Sequence, residues 1–156
     1  MKRLLCLAGL CLAALALPAV APAKRPIESA TGGGKASNLV LGSYSFGFTA
    51  KEDADGTKGQ MQLTIEGGLF AGEVHARVIC LAVGDNHARM LGDVTASTSL
   101  FIPPFLDRIV FQVADNGEPG DGDTFAAFPH SAADECEPPG PGTDQLEGGN
   151  IQVRDD

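Results

Sequence analysis

Between residues 40 and 48 the chain alternates Val40, Gly42, Tyr44, Phe46 and Phe48 with Leu41, Ser43, Ser45 and Gly47. A period of two places three aromatic rings on one face, the pattern of a strand buried on one side. KEDADGTKG, residues 51–59, follows as a turn-rich connection. Met61, Leu63 and Ile65 then alternate with Gln62, Thr64 and Glu66, so the two runs read as a hairpin. Residues 73–83 and 87–97 flank Val83-Gly84-Asp85-Asn86, whose glycine, aspartate and asparagine tolerate the positive φ of a tight turn. With Gly84-Asp85 as the turn pair, His75 is expected opposite Val94 and His87 opposite Ala82.

A further strand is expected over residues 108–115, followed by shorter ones at 124–128 and 150–153 on either side of the PPGPG loop, Pro138 to Gly142. No helical period competes with these runs after residue 23. Short strands punctuated by glycine and proline predict an all-β fold, a single antiparallel sandwich or barrel.

The first 23 residues have a different character. Lys2 and Arg3 precede an apolar run from Leu4 to Leu17, and Ala21 and Ala23 form an A-x-A cleavage pattern, so residues 1–23 read as a signal peptide. The run falls short of the roughly 20 residues a spanning helix needs, and no small residue precedes Cys6 or Cys11 as lipid attachment would require. The expectation is an exported chain, secreted or periplasmic, beginning at Lys24 and without an integral membrane segment. Residues 24–37 carry three consecutive glycines and no apolar period, and read as a flexible leader into a domain spanning 38–156.

Removing residues 1–23 takes away two of 11 bases and none of 20 acids, leaving 9 bases against 20 acids and a net charge of −11. Residues 107–156 hold 12 of those acids and only two bases, Arg108 and Arg154. Such a field repels nucleic acid and anionic lipid and favours divalent cations or basic partners. Cys80 and Cys136, the only cysteines beyond the leader, are expected to form a disulfide in an oxidising compartment. Closing that loop of roughly 57 residues stabilises the fold by about 4 kcal/mol in the chain-entropy treatment.

Oxygen donors are densest in VADNGEPGDGDTF, where Asp115, Asn116, Glu118, Asp121 and Asp123 lie within nine residues and Gly117, Gly120 and Gly122 let the backbone fold tightly. Calcium, which takes six to eight oxygens, is the cofactor this composition suggests. The order is not that of an EF-hand, since Gly117 and Pro119 stand where ligands are needed, and the competing reading is a solvated β-turn. Glu52, Asp53 and Asp55 read as a hairpin loop. Asp134, Glu135 and Glu137 read as a solvated face beside the disulfide, and His130 as a loop residue. No G-x-S-x-G is present, and no pair of acids can be matched by sequence for hydrolysis.

The blocks SATGGG (29–34), SYSFGFTAKEDADGTKGQMQLTI (43–65), VHARVICLAVGDNHARMLGDV (74–94), VFQVADNGEPGDGDTF (110–125) and LEGGNIQV (146–153) together resemble a family of exported bacterial β-rich domains, the post-COAP domain. The resemblance covers nearly all the chain beyond residue 23. It implies export and one β domain, and carries no catalytic residue or ligand. The functional expectation is a non-catalytic binding or structural module, acting on a surface protein or glycan and possessing a calcium-stabilised loop if the acids bind metal. The alternatives are a secreted or periplasmic hydrolase and a partner-binding or inhibitor domain.

Overall fold

The computed structural model describes residues 27–120, 122–130, 136 and 138–155. The signal-peptide reading of 1–23, Asp121 and the acids at 134, 135 and 137 lie outside them. The strands are β1 (Glu28–Asn38), β2 (Gly42–Asp53), β3 (Gly56–Glu66), β4 (Gly72–Gly84), β5 (His87–Ser97), β6 (Arg108–Ala114), β7 (Thr124–His130), β8 (Asp144–Gln145) and β9 (Gly148–Asp155). They form one antiparallel sheet in the order β8-β7-β6-β5-β4-β3-β2-β1-β9, curled into a half-barrel. The chain thus meanders through eight neighbouring strands, and its last strand returns to lie beside its first. Among the described residues no helix is long and apolar enough to cross a membrane.

The alternating residues line the inside of the curl. Tyr44, Phe46 and Phe48 are buried with Met61, Leu63 and Ile65, as the sequence predicts. Curling brings β7 against β2: Phe125 stacks on Phe46 with ring centroids 3.8 Å apart and meets Phe111 edge-on at 4.8 Å. Offset and edge-on contacts of this kind add about 1 kcal/mol each to the burial of the rings.

Several expectations are corrected. Residues 28–37 are not a leader; they belong to β1, which pairs with β2 on one side and β9 on the other. The glycines there answer to close approach: a Cβ on Gly32 would stand 2.7 Å from the Asn150 carbonyl oxygen, and one on Gly34 2.6 Å from that of Gly148. The strand expected from residue 40 starts at Gly42, because the Asn38 side chain accepts hydrogen bonds from the Val40 and Leu41 amides at 2.9 and 2.7 Å and turns the chain. In the β4–β5 hairpin the turn residues are Asp85 and Asn86, with Asp85 at φ 53° and Gly84 paired to His87. Gly84 serves a different need, since its Cβ position lies 3.2 Å from the Pro139 ring. His75 consequently faces Ala96, eight rungs from the His87 pair, about 26 Å along the strands. His130 closes β7 opposite Arg108 instead of sitting in a loop.

Two bulges break the β4–β5 ladder, leaving Thr95 and Ile79 without a facing residue. The second reverses the alternation beyond it, so that Leu81 turns into the core and Cys80 turns out. There Cys80 is paired with Cys136, their Cα atoms 5.8 Å apart. Residues 138–142 then lie over the outside of the sheet, Pro139 against Gly84 and Gly140 against Gln112. Leu91 and Val110, on the outward face of that same region, are buried.

Candidate functional site

The acidic loop joins β6 to β7 and reaches the unpaired edge of β9. Asp123 is fully buried; its Oδ1 accepts a hydrogen bond from the Asn116 amide and its Oδ2 one from the Ile151 amide, both at 2.8 Å. Asp115 accepts from the Val153 amide at 3.2 Å and from the Gly117 amide at 3.1 Å. Two carboxylates therefore stand where a neighbouring strand would supply carbonyls. Glu118 continues the contact, accepting from the Asn150 and Gln152 side chains, each at 3.0 Å. Those bonds, Asn150's first, hold its carboxyl below the ordinary glutamate value.

The loop is itself anchored at the β4–β5 turn. Asn86 donates to the Asp115 carbonyl at 2.9 Å and to the Asn116 side-chain oxygen at 3.0 Å. Gly117, Gly120 and Gly122 take φ of 113°, 92° and 99°, which L side chains rarely adopt, so the tight folding expected of these glycines is present. Four of the five proposed calcium ligands thus lie in this loop, and three of them, Asp115, Glu118 and Asp123, form a clasp on β9. Among the described residues no group of three or more His, Cys, Asp or Glu side chains is placed to hold a metal ion.

A second clasp lies across the curl. Asp144 accepts from the Tyr44 hydroxyl and, at 2.7 Å, from the Asn38 side-chain Nδ2. Burial first, then the bond to Asp144, raise the Tyr44 pKa far above that of a free phenol. The other acidic group is a turn: Asp53 pairs with Gly56 and accepts from the Asp55 amide at 2.9 Å. Its acids face Lys51 and Lys58 at 3.5 and 3.9 Å.

Sequence patterning does not reveal a hollow of about 640 Å³ on the outward side of β1 to β5. One wall is a continuous rung across four strands, Thr31, Thr49, Gln60 and Arg77. The next rung begins with Gly33 and Gly47, which leave the floor bare, and continues into Gln62 and His75. A Cβ at Gly47 would have nothing within 4 Å. Arg77 faces Asp93 at 3.6 Å, His75 faces Glu73 at 3.4 Å, and the bulge residue Thr95 donates to the His75 carbonyl at 3.2 Å. Thr31, Thr49, Thr95, Gln60 and Gln62 thus give the lining hydroxyls and amides, with its cations already paired. That chemistry suits hydrogen bonding to a polar ligand. The signal in the sequence is the outward half of each strand, read across strands by register. In comparisons with family models, curated proteins and solved structures, nothing matches the chain.

Proposed function

We propose that this is an exported, non-catalytic binding module, secreted or periplasmic, that presents the polar trough on β1 to β5 to an uncharged surface glycan or to the polar face of a protein. The observation that carries this reading is the trough itself, whose threonine hydroxyls and glutamine amides can hydrogen-bond a polar ligand. Asp115 and Asp123 of the β6–β7 loop accept hydrogen bonds from the β9 edge. The A-x-A leader, the Cys80–Cys136 pair and the resemblance to exported β domains support the assignment of compartment.

The test is glycan-array and surface-extract binding by the full chain as recovered from an exporting cell, beside a Gly47→Gln variant. The extended backbone and open space at Gly47 let the longer side chain occupy the trough without disturbing the core. The expected result is one ligand class retained by the parent chain and lost by the variant at an unchanged unfolding midpoint. Equal retention by both chains would remove the trough from the proposal, and processing at a site other than Ala23 would remove the leader assignment.

A further inference from the structure

Among the described residues five large apolar side chains stand exposed: Leu39 at 107%, Phe105 at 82%, Leu69 at 75%, Val40 at 71% and Leu100 at 61% of full exposure. All five fall in three connections, β1–β2, β3–β4 and β5–β6. Successive turns of a meander alternate between its ends, so these three leave the sheet at the same end. The hairpin turns at 54–55 and 85–86 and the acidic loop leave at the other.

The same loops are empty of charge. None of residues 39–43, 67–72 or 98–106 is acidic or basic, in a chain of which 20% of residues are charged. The nearest charges are the Lys35–Glu66 pair, Glu73 and Asp107 on the flanking chain, and the carboxylates of Asp144 and Glu147, which accept hydrogen bonds from Asn38 and Ser37 just before the first loop. The loops are held as a unit. Ser99 donates to the Phe70 carbonyl, the Thr98 amide donates to the Glu73 carbonyl at 2.8 Å, and Phe70 and Phe101 meet edge-on at 6.3 Å. Val40, Leu41, Leu69 and Phe70 border one hollow between the first two loops.

We propose that this end docks on the uncharged headgroup and acyl boundary of a zwitterionic lipid bilayer, with Leu39, Val40, Leu69, Leu100 and Phe105 inserted and the acidic body held away. Apolar side chains clustered at one exposed place mark an interaction surface. Charge selects the occupant. A polyanion or polycation meets no opposite charge on these loops. A second copy would bring together two bodies that each carry a formal charge of −9. A phosphatidylcholine surface asks for neither charge, and side chains on three separate tips fit a fluid phase that closes around each of them. The proposal is independent of the trough ligand, because the two surfaces share no residue.

The experiment is co-sedimentation of the exported full chain with phosphatidylcholine vesicles, with and without phosphatidylglycerol, beside Leu69→Ser, Phe105→Ser and the double variant. Mass spectrometry defines the N-terminus, so any retained leader is common to all samples. The parent chain is expected to pellet with phosphatidylcholine, each substitution to weaken partitioning about tenfold, and the pair to abolish it. Phosphatidylglycerol is expected to weaken binding at low salt, with recovery as salt screens the acidic body. Both positions are exposed, so thermal midpoints are expected to match the parent. Failure of the parent to pellet, or pelleting indifferent to the double variant, overturns the proposal. Self-association of the parent that the double variant abolishes, without vesicle binding, overturns it in favour of a second copy.

Discussion

Asp123 shows how far a residue's role can depend on partners distant in sequence. Its carboxylate receives one amide from within its own loop and another from Ile151, 28 residues away. Asp123→Asn retains one acceptor and turns a donor toward a buried N–H. The expected loss is about 1 to 3 kcal/mol, read from urea unfolding at neutral pH. Asp55→Asn, on an exposed turn, is the comparison and is expected to stay within about 0.5 kcal/mol. Thermal unfolding in EDTA and again in calcium, with magnesium as control, is expected to give no calcium-selective rise. A selective rise lost in Asp123→Asn would return the loop to the reading of a metal site. The residues of this loop are legible in the sequence, because acids and glycines are conspicuous. Their purpose is not, because the N–H groups they bind belong to a strand that only the tertiary fold brings near.

At the level of strands, the legible parts are those whose side chains alternate in size and polarity. Phe46, Phe48, Leu63 and Ile65 announce their inward face by spacing alone. Residues 31–34 announce nothing of the kind, since glycines that permit flexibility and glycines that permit close packing look alike in sequence. The β4–β5 turn lies one residue later than Gly84 suggests, because the lack of a Cβ there makes room for Pro139. The contrast between glycines gives a direct test. Gly149→Ala would place a Cβ 2.2 Å from the Gly33 carbonyl oxygen at a φ of 121°. It is expected to cost about 3 kcal/mol or more. Gly47→Ala, facing open space on the outer side, is expected to change stability by about 0.5 kcal/mol or less. Equal behaviour of the two variants in denaturant titrations would contradict the tight β1–β9 seam.

For the molecule as a whole, the charge and glycine content are readable as an acidic all-β domain, whereas the curl and the division of its surfaces are not. One half of the outer face is overlaid by residues 138–142 and the other is open and polar; one end is apolar and the opposite end carries the acidic clasp. These asymmetries arise from register and connection order, which a linear pattern does not encode. The same connection order makes Glu28 and Asp155 direct partners across the β1–β9 ladder. Backbone entry and exit therefore lie side by side, and a short glycine-serine joint between them should be able to replace the ends. A circular permutant opened between Ala54 and Asp55, an exposed two-residue turn, is expected to refold and recover the near-ultraviolet signal of the stacked rings. Loss of that signal would show that the order of synthesis matters to the fold. Its recovery would make this sheet a cassette, a body that can be spliced into a surface loop of another protein through a single narrow point of attachment.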